Sequence, residues 1–257
     1  MADQATKSLS DVNKSYWDEN ADKVFDQEWV KVLTKLATRV LQEHTGHLGL
    51  SKDTPRSAPV KMLDYACGNG LASWALAPYV DIIRGIDIAP GMVTQYNNRA
   101  LEAGLPPSTM SAVAGNILEP SPELQTPDMT GFDVAVTCMA LHHFEKPEET
   151  VRALVDRLSP GGAIAAIDWL PSKGWPPNHD RGHEDGEKHV AHGTINKAVL
   201  SPENVLTMLE AAGCDMSTAY YIVVGEKSHI PEDIVKMPDG VMWNMFLALG
   251  KKKTLEA

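Results

Sequence analysis

Apolar positions recur along this chain with two different periods. Across 11–43 they fall at helical spacing, with Val30, Leu33, Leu36, Val40 and Leu41 on one face. Residues before Asp11 lack that pattern and are expected to be frayed. A polar connector with Gly, Ser and Pro at 46–59 separates this N-terminal helical segment from the rest. Short apolar runs at 60–65, 81–86, 110–113, 132–138 and 163–169 then predict strands. Helical stretches at 71–77, 90–103 and 147–158 lie between them, and a Pro-rich connection covers 117–130. The turns are marked by Pro78, Gly104 and Pro160-Gly161-Gly162. Ser201 as N-cap, Pro202 in the first turn and Gly213 as the stop bracket an amphipathic helix over 201–212. Two last β-rich runs, 218–224 and 241–249, have no helix-length crossover between them and predict an antiparallel pair at the sheet edge.

Strands alternating with helices bury a parallel sheet on both faces. The expected fold class is α/β: a Rossmann-like, doubly wound, mostly parallel seven-stranded sheet with an antiparallel C-terminal strand and helices on both faces. The rhythm breaks at 171–194, a polar stretch with Pro176, Pro177, Gly182 and Gly186 that reads as a loop or lid. The domain organisation expected is a helical cap segment and linker at 1–59, then one catalytic unit at 60–257 with a lid-like insertion at about 171–200.

Composition narrows the class. The chain has 257 residues, 43% hydrophobic and 22% charged, enough for a substantial core. Its net charge of −11 is spread along the chain, which disfavours nucleic acid as a partner; the short basic run at 251–253 is read as a solvated tail. Cys67, Cys138 and Cys214 are far apart and form no C-x-x-C pair, so neither a zinc site nor a disulfide framework is expected. With no signal-like apolar stretch at 1–20 and no run near 20 apolar residues, a cytoplasmic protein is expected, with the nucleus also open and no membrane partner.

The most informative stretch is VKMLDYACGNGL at 60–71. A strand runs into a tight glycine turn and then a helix, which sets backbone N–H groups and a helix N-terminus beside a ligand. Gly68, Gly70 and Ser73 form at best a weak dinucleotide fingerprint. Asp64 ahead of the glycines speaks against a pyrophosphate and for a cationic ligand.

Here the chain resembles the class I S-adenosylmethionine-dependent methyltransferases, whose first motif runs D-x-G-x-G-x-G. It stands as Asp64-Tyr65-Ala66-Cys67-Gly68-Asn69-Gly70, with Ala66 for the first glycine. The resemblance continues through Asp87, Gly115-Asn116, FDVAVTCMALHHF and LSPGGAIAAIDW, and so covers about 61–170. It implies S-adenosylmethionine as cofactor and S-adenosylhomocysteine as product. It also implies that Gly68 and Gly70 admit the methionine part of the ligand and that Asp64 lies near its amino end. Asp87 would hold the ribose hydroxyls, Ile88 and Met92 the adenine face. Asn116 would accept from the adenine amino group, Ile117 would offer its backbone N–H to the ring, and Cys138, Met139 and Leu141 would line the methyl-donor side. The group it looks most like includes ubiquinone-type and fungal secondary-metabolite methyltransferases.

Such a transfer needs orientation and exclusion of water, and a base only for a poor nucleophile. Base candidates are His143 and His142, after the fourth strand, and His192, just ahead of the 201–212 helix. His179, His183 and His189 share the lid with His192; their spacing could suit a metal, but a mobile cover is preferred and no metal is assigned. Trp169 and Trp175 could supply an aromatic wall, and Tyr16-Trp17 opens a segment that either caps the cofactor or packs on the sheet. The acceptor expected is a small molecule with a sulfur or oxygen nucleophile. The alternatives are a protein- or peptide-directed or regulatory subunit, with a protein partner left open, and more remotely an NAD-dependent oxidoreductase.

Overall fold

The computed structural model describes residues 7–51, 58–170, 194–196, 200–235 and 239–254. Its seven strands are β1 (Lys61–Tyr65), β2 (Ile82–Asp87), β3 (Met110–Ala114), β4 (Phe132–Cys138), β5 (Leu158–Trp169), β6 (Cys214–Ile230) and β7 (Val241–Lys252). They form one sheet in the order β3-β2-β1-β4-β5-β7-β6. The first five run parallel, and β7 is antiparallel to both β5 and β6. The late pair thus adds at the edge as expected, with one refinement: β7 inserts between β5 and β6, which leaves β6 outermost.

Period-two burial sorts each central strand onto two cores. Met62, Val134, Val136, Ala165 and Leu247 face one layer; Leu63, Ala135, Ile164, Ala166 and Phe246 face the other. Helices α2 (Glu28–Glu43), α3 (Leu71–Leu76) and α4 (Pro90–Glu102) cover the first layer, and α5 (Pro147–Asp156) and α6 (Pro202–Ala211) the second. Strand order reverses between β1 and β4, and a crevice opens there at the carboxyl ends of the strands.

The N-terminal segment begins earlier than its hydrophobic pattern predicts. Ser8 and Asp11 form a reciprocal capping box that starts α1 (Leu9–Asn20), and a single turn at Val24–Asp26 separates it from α2. Capping by Ser8 orders residues that carry no apolar signal. The α1 helix is fastened at two points. The Asp18 carboxylate accepts from the Gly91 N–H at 2.5 Å, at the start of α4. Asn13 donates to the carbonyls of Leu9, His143 and Thr194. Between these points Trp17, Val24 and Phe25 pack against Ala21, Ala89 and Met92. Among the described residues no helix is long and apolar enough to cross a membrane.

Gly91 is the contact on which α1 docking turns. A Cβ there would sit 2.9 Å from Asp18 Oδ1 and 3.1 Å from its carbonyl oxygen. Gly91→Ala is therefore expected to cost roughly 1–2 kcal/mol through overpacking and to loosen α1 selectively. Hydrogen exchange should show faster amides in α1 with the central strands unchanged; equal protection of α1 in both proteins would refute this.

Candidate functional site

A cavity of about 490 Å³ occupies the crevice. Its floor is the loops after β1, β2, β3 and β4, with Trp169 at the end of β5; its roof is α1, the following turn and the first half of α2.

The loop after β1 is held in left-handed backbone. Ala66 has φ 55, Gly68 φ 50 and Gly70 φ 92. Such a conformation is open to glycine and strained for alanine. At Gly68 a Cβ would approach Phe25 of the roof to 3.2 Å, so glycine lets roof and loop meet. Gly70 serves differently: it is the N-cap of α3, and a Cβ there would press on Tyr96 and Trp74. It does not line the cavity. In this structure it starts the helix.

The two acids of the motif differ in position. Asp64 is buried behind the loop and accepts from the Ser73 backbone N–H at 3.0 Å and hydroxyl at 2.7 Å. Tyr96 joins the same network through the Ser73 hydroxyl. Asp64 thus satisfies an N-terminal donor of α3 across the glycine turn and is not among the lining residues, so any effect on a ligand's amino end is indirect. Burial, its largest influence, lifts the Asp64 carboxyl from 3.8 to about 7 against the two bonds from Ser73. Asp87 does line the cavity. One of its oxygens accepts from Gly68 N–H at 2.8 Å and the other from Ala89 N–H at 2.9 Å. A carboxylate has room for about four donors, so two backbone bonds leave capacity for a diol. Burial raises Asp87 to about 6, with those backbone bonds opposing it.

Ile88, Met92 and Asn116 also border the cavity. Asn116 is held by its own loop: Oδ1 accepts from Leu118 N–H at 3.1 Å and Nδ2 donates to Glu119. The Ile117 N–H points elsewhere than expected. It donates to the Tyr65 hydroxyl at 3.3 Å, and Ile117 does not line the cavity.

Cys138 ends β4 and Met139 follows it with φ 54, a second strained non-glycine residue at the same opening. Burial pushes the Cys138 thiol well up, so it stays protonated. A tight turn at Leu141–His143 follows, and both its histidines line the cavity. His142 bonds Asp168 through Nδ1 at 2.6 Å. His143 donates from Nδ1 to the Thr194 carbonyl at 2.8 Å and stands edge-on to Trp17. Burial, together with its neighbour His142, holds His143 well below the ordinary histidine value.

Of the predicted positions, Ala66, Gly68, Asp87, Ile88, Met92, Asn116, Cys138, His142 and His143 converge on one cavity; Asp64, Gly70 and Ile117 support it from behind. His192, with His179, His183, His189 and Trp175, lies outside the described residues. Sequence reasoning missed Trp29, Leu33 and Thr34, which α2 presents to the cavity, together with Asn13 and Asp168. The helical stripe of α2 reads as ordinary core burial, and only the fold shows that its first half covers a hollow.

The sheet is of the open α/β kind, in which ligands bind in the crevice at the switch point of strand order. Residues 63–164 match the family model described as a methyltransferase domain. An uncharacterized methyltransferase of Schizosaccharomyces pombe is 29% identical over 157 residues, 61% of this chain. That match spans about half of the relative, 54% of its length. The 27-O-demethylrifamycin SV methyltransferase of Amycolatopsis mediterranei is 28% identical over 215 residues, 82% of this chain and 72% of the relative. Among solved structures, geranyl diphosphate C-methyltransferase of Streptomyces coelicolor, in complex with S-adenosyl-L-homocysteine, superposes with a TM-score of 0.62 at 14% identity, covering 96% of this chain and 100% of that one. The 63–164 segment thus matches a methyltransferase domain, and the relatives it resembles are named as methyltransferases.

Two outcomes follow for the loop. Ala66→Gly relieves left-handed strain and is expected to stabilise the protein by about 1 kcal/mol, seen as a higher urea midpoint with an unchanged slope; a lower midpoint would refute the strain. For Asp64, the raised carboxyl means that the folded chain binds the proton more tightly than the unfolded one between about pH 4 and 7. Its contribution to stability is therefore present at low pH and lost as pH rises through about 7. Asp64→Asn keeps an acceptor for Ser73 and removes that loss, so its melting temperature should gain on the wild type between pH 5 and pH 8. Parallel pH curves would show that Asp64 is not the group responsible.

Proposed function

We propose that this chain transfers the methyl group of S-adenosylmethionine to a small-molecule acceptor through an oxygen or sulfur nucleophile, releasing S-adenosylhomocysteine. The single observation that carries the reading is continuity. One cavity joins the segments bearing Gly68, Asp87 and Asn116, at the ends of β1, β2 and β3, to a wall made by Trp17, Trp29 and Trp169.

The described residues fit the cofactor. Glycine at 68 leaves a backbone cradle, Asp87 has acceptor capacity for ribose hydroxyls, and Ile88 and Met92 offer apolar, polarizable faces for adenine. Asn116 would serve the adenine edge through its amide. Bound there, the cofactor supplies an electrophilic methyl group on a cationic sulfur, and buried carboxylates nearby favour that charge. The roof excludes water, and the tryptophans orient a flat acceptor.

The N-terminal segment 1–59 acts as the cap in this reading, and 60–257 as the catalytic unit. Of the lid-like stretch at about 171–200, the described residues are 194–196 and 200; the rest lies outside what the structure describes. Thr194 and Asn196 are fastened to the histidine turn by backbone and side-chain bonds. Enclosure by α1 and α2 favours a small molecule over a peptide, and the acid-led loop favours S-adenosylmethionine over NAD.

Titration calorimetry with S-adenosylmethionine, S-adenosylhomocysteine and NAD tests the reading. The first two are expected to bind, and Asp87→Ala to weaken both about 10-fold or more through loss of charge-assisted hydrogen bonds. Binding of NAD alone would overturn the proposal, and unchanged affinity in the variant would remove Asp87 from the site.

A further inference from the structure

The rim of the cavity after β3 divides donors from acceptors in a way that the Asn116 motif does not imply. Tyr65, Asn116, Leu118 and Glu119 border the cavity there. The orientation of the Asn116 amide is fixed by what touches it. Oδ1 accepts from the Leu118 backbone N–H at 3.1 Å, and a backbone N–H can only donate. Nδ2 donates to Glu119 Oε1 at 3.0 Å, and a carboxylate can only accept. A flipped amide would lose both bonds and set oxygen against carboxylate. The Tyr65 hydroxyl, pushed up to about 12 mainly by burial, keeps its proton and gives it to the same Oδ1 at 3.4 Å. Two donors thus occupy both lone pairs of the Asn116 oxygen. It has no place left for an amino group.

What the rim still offers is a donor beside an acceptor. The backbone N–H groups of Gly115, Ile117, Leu118 and Glu119 all have partners in the fold. Asn116 keeps its second Nδ2 hydrogen, which is a donor. Glu119 bonds Asn116 through Oε1 and keeps Oε2, an acceptor, on an exposed side chain. The edge of adenine carries the matching pair, an amino group that donates next to a ring nitrogen that accepts.

We propose that Glu119 accepts from the adenine amino group and that Asn116 donates to the neighbouring ring nitrogen, so that the two select a 6-amino purine over a 6-oxo purine. This rests on the methyl-transfer reading and on the cofactor it implies. The resemblance gave Asn116 the acceptor's part; here that part moves three residues along, to Glu119. A 6-oxo purine presents a carbonyl in place of the amino group and an N–H in place of the ring nitrogen. It would set carbonyl against carboxylate and N–H against N–H. A site built on hydrogen bonds strongly rejects an analogue that leaves them unpaired.

Calorimetry on full-length protein with S-adenosylhomocysteine and its 6-oxo counterpart, S-inosylhomocysteine, tests the pairing. Wild type is expected to prefer the adenosyl compound about 30-fold or more. Glu119→Gln keeps an acceptor for Asn116 and turns an amide N–H toward the ligand. It is expected to weaken the adenosyl compound about 10-fold, to tighten the inosyl compound, and to bring the preference below about threefold. A preference left unchanged, whether both affinities fall together or neither moves, overturns the assignment of Glu119. Asn116→Asp removes the donor and is expected to weaken the adenosyl compound. Tighter binding by that variant returns the acceptor's part to residue 116 and overturns the proposal. Binding of neither compound by the wild type overturns the methyl-transfer reading itself, and this inference with it.

Discussion

Two backbone N–H groups from different loops converge on the Asp87 carboxylate, and the site depends on that convergence. Gly68 belongs to the loop after β1 and Ala89 to the loop after β2. The sheet alone would set the two strands side by side and leave their loops free to part. Asp87 ties them into one rim and raises the cost of burying its own charge, which two donors offset only in part. The first turn of α4, directly after the loop that follows β2, carries Gly91, where Asp18 of α1 docks, and Met92, against which the roof packs. The cavity rim at Asp87 and the docking of the roof therefore lie within one short stretch, so what orders Asp87 also steadies the roof above it.

Strain collects where those loops leave the strands. Ala66 and Met139 both adopt left-handed backbone just past the ends of β1 and β4, the two strands that flank the switch point. Each chain must turn sharply there to leave the sheet, and neighbouring strands forbid a gradual exit. Ladder bonding holds the turn at Met139, whose N–H still reaches Ile167 O at 2.8 Å. At Ala66 the hold comes from the next residue, Cys67, whose N–H reaches Ile86 O. Bonds to the neighbouring strands thus hold both residues in left-handed backbone.

The sheet was legible because its strands are buried on both faces and its helices on one, so the two periods separate cleanly in sequence. The length of β6 was not legible. It runs from Cys214 to Ile230 through two register shifts, and its edge position leaves polar residues such as Glu226 and Lys227 outside, which hides the strand from a hydrophobic pattern. Asp64 illustrates a different gap. Sequence places an acid ahead of the glycines, but the bond to Ser73 spans the turn, and only the path of the loop decides whether the carboxylate faces the ligand or the helix behind it. The Trp29 side of α2 was hidden for the reason that hides many sites: an apolar residue facing a cavity and one facing a core look alike until the neighbours are known.

Adjacent histidines show how far local sequence can go. His142 and His143 sit side by side with ring centroids 4.0 Å apart, and local sequence does not separate them. Their chemistry is separated by what lies behind them. A buried carboxylate from β5 stands behind one and a backbone carbonyl from residue 194 behind the other. The first partner comes from a strand and is fixed by the sheet register; the second comes from a short segment fastened over the turn. His143, tied to Thr194 and packed on Trp17, joins the floor of the cavity to its roof through Asn13, which donates to the carbonyls of both. What separates the two rings is set by Asp168 and Thr194, both distant from the turn in sequence.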